Sequence, residues 1–169
     1  CSTASAIATK FMAAAYVPPL PPTHAPPALV LLLHGAFLVD RHRIRSFRAL
    51  PLTSLTREQL TNSTPDPSLH AKTVPATLGA VDAFASHSWS DDGNAKYDKL
   101  HEWAGGDEKK TIWLDKACID QLDIEACLAR LPVFLAGCQQ LVCLAGPTYT
   151  ERLWCAMELF TFVRMGGRR

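Results

Sequence analysis

The chain has no Cys-x-x-Cys pair, no Gly-x-Ser-x-Gly elbow, and no apolar run long enough to span a bilayer. Each absence removes a class of function. Its six cysteines, Cys1, Cys118, Cys127, Cys138, Cys143 and Cys155, lie mostly inside apolar segments, without the spacing of a zinc site. Buried thiols in a reducing compartment fit this pattern better than the disulfide framework of a small secreted domain, so no metal is expected and a cytoplasmic location is. The twelve-residue stretch from Ala28 to Val39, broken by His34 and Gly35, falls short of the roughly twenty apolar residues of a spanning helix. The basic cluster after it (Arg41, His42, Arg43, Arg45 and Arg48) would suit a cytoplasmic flank, but a membrane is not the expected partner. Leu29–Gly35 imitates the His-Gly oxyanion turn of α/β-hydrolases, yet the nucleophile elbow that such a turn would serve is missing. With a net charge of +1, nothing points to nucleic acid either.

What is present divides unevenly. At 169 residues and 48% hydrophobic, the chain can bury one real core. Ten of the twelve prolines fall in residues 1–75, and all four tryptophans follow them. The expectation is a Pro-rich, poorly structured N-terminal segment over residues 1–76, followed by an α/β domain over residues 77–169. Within the first part, Leu55–Leu60 reads as a short helix capped by Ser54 or Thr56. The chain starts at Cys1 and ends in Gly-Gly-Arg-Arg, so it is expected to be a piece of a longer protein.

From Leu78 onward, strand and helix patterns alternate. Ala80–His87 is a short apolar strand, Ala95–Ala104 a helix stopped by Gly105-Gly106, and Thr111–Leu114 a second strand. A helix from Asp123 would turn Ile124, Cys127, Leu128 and Leu131 inward, with Pro132 kinking or restarting it. Gln140–Ala145 is a third strand, and Arg152–Met165 a third helix. Alternation at this spacing predicts a parallel sheet with helices on its faces. In the last helix, Leu153, Met157, Phe160 and Val163 make one apolar stripe, expected to pack on the sheet. Glu158 is the only charged residue between Arg152 and Arg164. A carboxylate in so apolar a helix needs a partner, Lys116 or Arg152 being candidates, or a chemical task.

Ligands of open parallel sheets bind beyond the carboxyl ends of the strands. Here those ends carry Ser86-His87-Ser88-Trp89, then Asp115-Lys116, then Thr148-Tyr149 leading to Trp154 and Glu158. The residues Asp82-Ala-Phe-Ala-Ser-His-Ser-Trp, Trp113-Leu-Asp-Lys and Leu144-Ala-Gly-Pro-Thr-Tyr-Thr-Glu-Arg-Leu-Trp-Cys-Ala-Met-Glu-Leu resemble the TIR-type domains, in particular the TIR-like modules of algal and oomycete proteins. The likeness covers Asp82–Met165, about half of the chain, and Trp-Cys-x-x-Glu-Leu is its most specific part. It implies a flavodoxin-like three-layer α/β/α fold with the first strand central. It also implies a module truncated before its fourth and fifth strands, with an exposed sheet edge.

In function the resemblance implies an intracellular signalling or defence module. Such modules are either NAD glycohydrolases, which cleave the nicotinamide–ribose bond, or non-catalytic scaffolds that self-associate or bind other TIR-like domains. In the enzymes the Glu of Trp-x-x-x-Glu is catalytic, which is Glu158 here, and NAD is substrate rather than cofactor. Trp89 or Trp154 would stack on a ring, Lys116 would meet phosphate, and Ser86, Ser88 or Asp115 would hold ribose. His87 lies in the same turn, as a substrate contact or a hydrogen-bonded turn residue. Ser88-Trp89 stands where the animal enzymes carry basic residues. Asp91-Asp92 reads as cap and solvated turn.

Overall fold

A computed structural model describes residues 13–16, 47–120 and 129–165. Six strands form one mixed sheet: β1 (Ala13–Tyr16), β2 (Arg48–Pro51), β3 (Val74–Pro75), β4 (Val81–His87), β5 (Thr111–Trp113) and β6 (Cys138–Ala145), in the order β1-β6-β4-β5-β2-β3. β4 runs parallel to both β5 and β6, whereas β1, β2 and β3 pair antiparallel with their neighbours. The architecture is therefore α/β as expected, but the sheet is not purely parallel. The small apolar residues of β4 are buried almost throughout, as a central strand requires.

Among the described residues, six helices accompany the sheet: α1 (Arg57–Thr61), α2 (Ser68–Ala71), α3 (Gly93–Ala104), α4 (Asp115–Cys118), α5 (Leu131–Ala136) and α6 (Leu153–Arg164). Their ends follow from local chemistry. Thr56 caps α1 in a reciprocal box with Gln59, and Asp92 caps α3 by accepting from the Asn94 amide. Gly105 closes α3 in the left-handed conformation, φ 63°, which explains the glycine there. Pro132 sits in the first turn of α5, where no N–H is needed. The helix expected from Asp123, with Ile124, Cys127 and Leu128, lies outside the described residues, as does the Ala28–Val39 run.

The N-terminal segment departs from expectation. Residues 47–76 are not poorly structured: they supply β2, β3, α1 and α2, and they bury Phe47, Leu50, Leu52, Leu55, Leu60 and Leu69 in the common core. Each leucine is separated from the next by Ser, Thr or Pro, so no apolar period is visible along the chain, and long-range pairing organises the segment. Phe47 stacks on Phe134 at 5.8 Å, Phe134 meets Trp113 at 5.6 Å, and Trp113 stacks on Phe84 at 4.5 Å. Such aromatic contacts add about 0.5–1.5 kcal/mol each to the burial itself. The free edges expected of the parallel core are also covered. β1 pairs along β6 on one side, and β2 and β3 extend the sheet beyond β5 on the other.

α3 contacts β6 and β1, with the Trp103 indole donating to Gln140 Oε1 at 3.2 Å. α1 is fastened to α3 by Arg57, which pairs with Asp98 at 2.6 Å and lies over the Tyr97 ring. The two helices approach so closely that a Cβ on Gly93 would fall 2.3 Å from Thr61 Cα and 2.5 Å from Leu60 O. Alanine's helix preference is worth about 1 kcal/mol; this backbone collision outweighs it. Gly93→Ala is therefore expected to destabilise the fold by about 2 kcal/mol, read as a lowered urea midpoint at unchanged slope.

Candidate functional site

Alternation along β4 puts Phe84 and Ser86 on one face, and Ala83, Ala85 and His87 on the other. Phe84 lies against Trp113, and Ser86 faces α6. There the Ser86 hydroxyl donates to Glu158 Oε2 at 2.5 Å and lies 2.8 Å from the Tyr149 hydroxyl. With the Ser86 proton directed at the carboxyl group, Tyr149 is the donor in the second bond. Trp154 lies one turn before Glu158 on the same helix, and its indole acts to lower the carboxyl pKa. The Cys155 thiol reaches the His87 carbonyl at 3.3 Å, so a small residue lets α6 approach the end of β4 closely.

This arrangement corrects two expectations. Glu158 pairs with neither Lys116 nor Arg152; its hydrogen-bond partner is Ser86. The inward face of α6 is Cys155, Glu158 and Phe162. The stripe expected to pack on the sheet faces solvent instead, with Leu153 76%, Met157 51%, Phe160 66% and Val163 50% exposed. Helical period identifies a stripe but not the side on which it is buried.

Glu158 is only 2% exposed. Burial raises its pKa from the usual 4.5 to about 8, the Asp115 charge pushes the same way, and the Ser86 hydroxyl and the Trp154 indole oppose the rise. The group is thus a carboxylic acid at neutral pH. Around it, burial also pushes the Cys155 thiol up to about 12 and raises the Tyr149 phenol and the Cys143 thiol. These thiols are inert.

The other expected residues form a second group at the same sheet edge. Asp115 accepts from the Trp89 indole at 2.7 Å and from the Lys116 amide at 2.6 Å. His87 Nε2 lies 3.8 Å from Asp115 Oδ1. Burial lowers the His87 pKa, against the opposing pull of Asp115, which keeps the imidazole neutral. Lys116 does not stand free for a phosphate. Its ammonium donates to the carbonyls of Gln59 at 2.8 Å and of Asn62, at the end of α1, and lies 5.7 Å from the centre of the Trp89 ring. A cation on those carbonyls complements the helix terminus.

Ser88 belongs to a third group that the sequence did not reveal. Its hydroxyl lies 2.7 Å from Thr148 Oγ1, and Thr148 donates to Asp91 Oδ1 from both its amide and its hydroxyl, each at 2.9 Å. Lys96, buried, donates to the Ser88 carbonyl at 2.8 Å. Of Asp91-Asp92, therefore, only Asp92 is the helix cap, and Asp91 ties the first loop to the third. No signal in the sequence marks Lys96. Tyr149 and Thr148 were visible as residues of the third loop, but not their partners. A cavity of about 490 Å³ opens beside this group, between α1 and the start of α3, bordered by Trp89, Ser90, Asp91 and Asn94. Glu158 does not line it.

No protein-family model, curated protein or solved structure matches this chain. Among the described residues, no helix is long and apolar enough to cross a membrane.

The buried acid has a consequence for stability. A folded-state pKa above the unfolded one stabilises fully below about pH 4.5, and that contribution is lost as pH rises through about 8. Each unit is worth about 1.4 kcal/mol, so the loss across the window is a few kcal/mol. Glu158→Gln, which keeps the shape and an acceptor for Ser86, is expected to flatten this slope. Denaturation midpoints of both proteins between about pH 5 and about pH 8 check it.

Proposed function

We propose that the chain is a TIR-like module of intracellular signalling or defence that cleaves the nicotinamide–ribose bond of NAD, with Glu158 as its catalytic carboxylate. The observation that carries this reading is the position of Glu158: beside the end of the central parallel strand, held by Ser86 on β4. Ligands of parallel α/β sheets bind at that edge. The order β5-β4-β6, with the first of the three strands in the middle, agrees with the flavodoxin-like three-layer arrangement. β1, β2 and β3 are then additions from the N-terminal part of the chain.

The chemistry assigns one task to Glu158. The bond from ribose C1′ to the nicotinamide nitrogen breaks with its electron pair going to the ring, which leaves as neutral nicotinamide. Positive charge then develops on C1′ and the ring oxygen, and a carboxylate beside it stabilises that charge. Water adds at C1′ and releases a proton, giving ADP-ribose. Glu158 must be ionised for this step, although it carries a proton in the closed site. The cationic nicotinamide ring of arriving NAD lowers the carboxyl pKa and favours ionisation. Ser86 then holds the carboxylate in place, and Trp154, half-buried on the same helix, offers a ring face to the base or nicotinamide. Lys116 has no part in phosphate binding in this scheme, because its ammonium is engaged by Gln59 and Asn62.

A second reading rests on a separate observation, the exposed stripe Leu153, Met157, Phe160 and Val163. Large apolar residues clustered on one helix face mark an interaction surface. A non-catalytic module that self-associates or docks other TIR-like domains would use it.

Nicotinamide release from NAD by concentrated protein separates the two. The catalytic reading expects release by the wild type and a loss of roughly a hundredfold or more in Glu158→Gln. Equal release, or none from either protein when assembled, favours the interaction module. Phe160→Glu would then abolish concentration-dependent association in sedimentation.

A further inference from the structure

Glu158 is buried, and residues 146–152 reach the residue that holds it. This segment leaves β6 at Gly146, turns through a 3-10 turn at Tyr149–Glu151, and enters α6. It is pinned at two points. Tyr149, itself buried, reaches in to Ser86, the residue that holds Glu158. Thr148 is tied to the first loop through Asp91 and Ser88. Proton bookkeeping makes the second pin one-directional. The Thr148 hydroxyl donates to Asp91, so Ser88 donates to Thr148, and the Ser88 oxygen also takes the Ser90 amide at 3.3 Å.

The pin is also poorly satisfied. Asp91 is buried, and its second oxygen, Oδ2, has no hydrogen-bond partner among the described residues. An acceptor left in that state opposes burial. There is no slack beside it: a Cβ on Gly146 would fall 2.4 Å from Asp91 Cγ and 2.6 Å from Oδ2. Asp91 borders the open cavity of about 490 Å³, so released from Thr148 its carboxylate has solvated space to enter.

We infer that residues 146–152 form a strap, fastened by Thr148 to Asp91, whose release uncovers Glu158 for substrate. The inference rests on the reading of Glu158 as the catalytic group, but the opening itself is measurable without catalysis. Cys155 is buried in the first turn of α6, directly after the strap, and bonded to the His87 carbonyl, while Cys138 lies at the opposite end of β6 and bonds to the Phe134 carbonyl.

The test uses the full chain and two ways of unfastening the strap. Thr148→Val removes the hydroxyl from the pin, and Gly146→Ala forces the Asp91 carboxylate away without deleting any donor or acceptor. Alkylation of each cysteine is followed by peptide mapping. The expected result is Cys155 modified at least roughly tenfold faster in both variants, the weight of one hydrogen bond to a charged group, with Cys138 unchanged. Unchanged Cys155 reactivity, or Cys155 and Cys138 accelerating together as in general unfolding, overturns the strap. Nicotinamide release by the same variants separates this result from the catalytic reading. Cys155 opened without any release leaves the strap standing and removes catalysis. Glu158-dependent release with no change at Cys155 does the reverse.

Discussion

The hydrogen bond from Ser86 to Glu158 is the constraint on which the rest of the site depends. It joins the central strand to the last helix at the point where both meet the carboxyl edge of the sheet. To make it, α6 turns its one acidic residue inward and Leu153, Met157, Phe160 and Val163 outward, the reverse of an ordinary surface helix. Two neighbours make this orientation workable. Cys155 is small enough for the helix to reach the end of β4, and Phe162 supplies the apolar contact one turn beyond Glu158. Burying the carboxyl group neutral, with a hydrogen bond from Ser86, avoids the cost of an unpaired charge.

A second constraint is the sheet edge. Three parallel strands alone would leave unpaired N–H and C=O groups along both β5 and β6. The N-terminal part of the chain closes both edges, with β1 beside β6 and with β2 and β3 beyond β5. It also delivers Phe47 to the aromatic stack through Phe134, Trp113 and Phe84, and it delivers α1, whose terminal carbonyls engage Lys116. The same segment thus stabilises the sheet and withdraws a cation from the candidate site.

How far could the sequence be read? The strands β4, β5 and β6 and the helices α3 and α6 stand where local pattern placed them, because each has a clear apolar period and a polar or glycine boundary. The convergence of Ser86, Trp89, Asp115 and Glu158 on one edge was legible too, since parallel strands carry their following loops to the same side. What escaped depends on pairings distant in the chain. Thr148 meets Asp91 across 57 residues, and Lys116 meets Gln59 across 57. No local period encodes either contact. β2 and β3 escaped for the same reason: Arg48–Pro51 and Val74–Pro75 are too short and too proline-rich to declare themselves as strands. The stripe of α6 failed differently, because its period was correct but period does not tell which face of a helix meets the core.

The account stands or falls on the state of one carboxyl group. Its titration is directly observable in the intact protein, as the carboxyl carbon resonance of Glu158 in isotope-labelled chain, identified by its absence from Glu158→Gln. The burial of Glu158 predicts a midpoint raised well above the ordinary value, to about 8. A midpoint near the ordinary 4.5 would mean that the carboxylate is solvated and charged. The Ser86 contact, the inverted helix and the buried site would then all be wrong together.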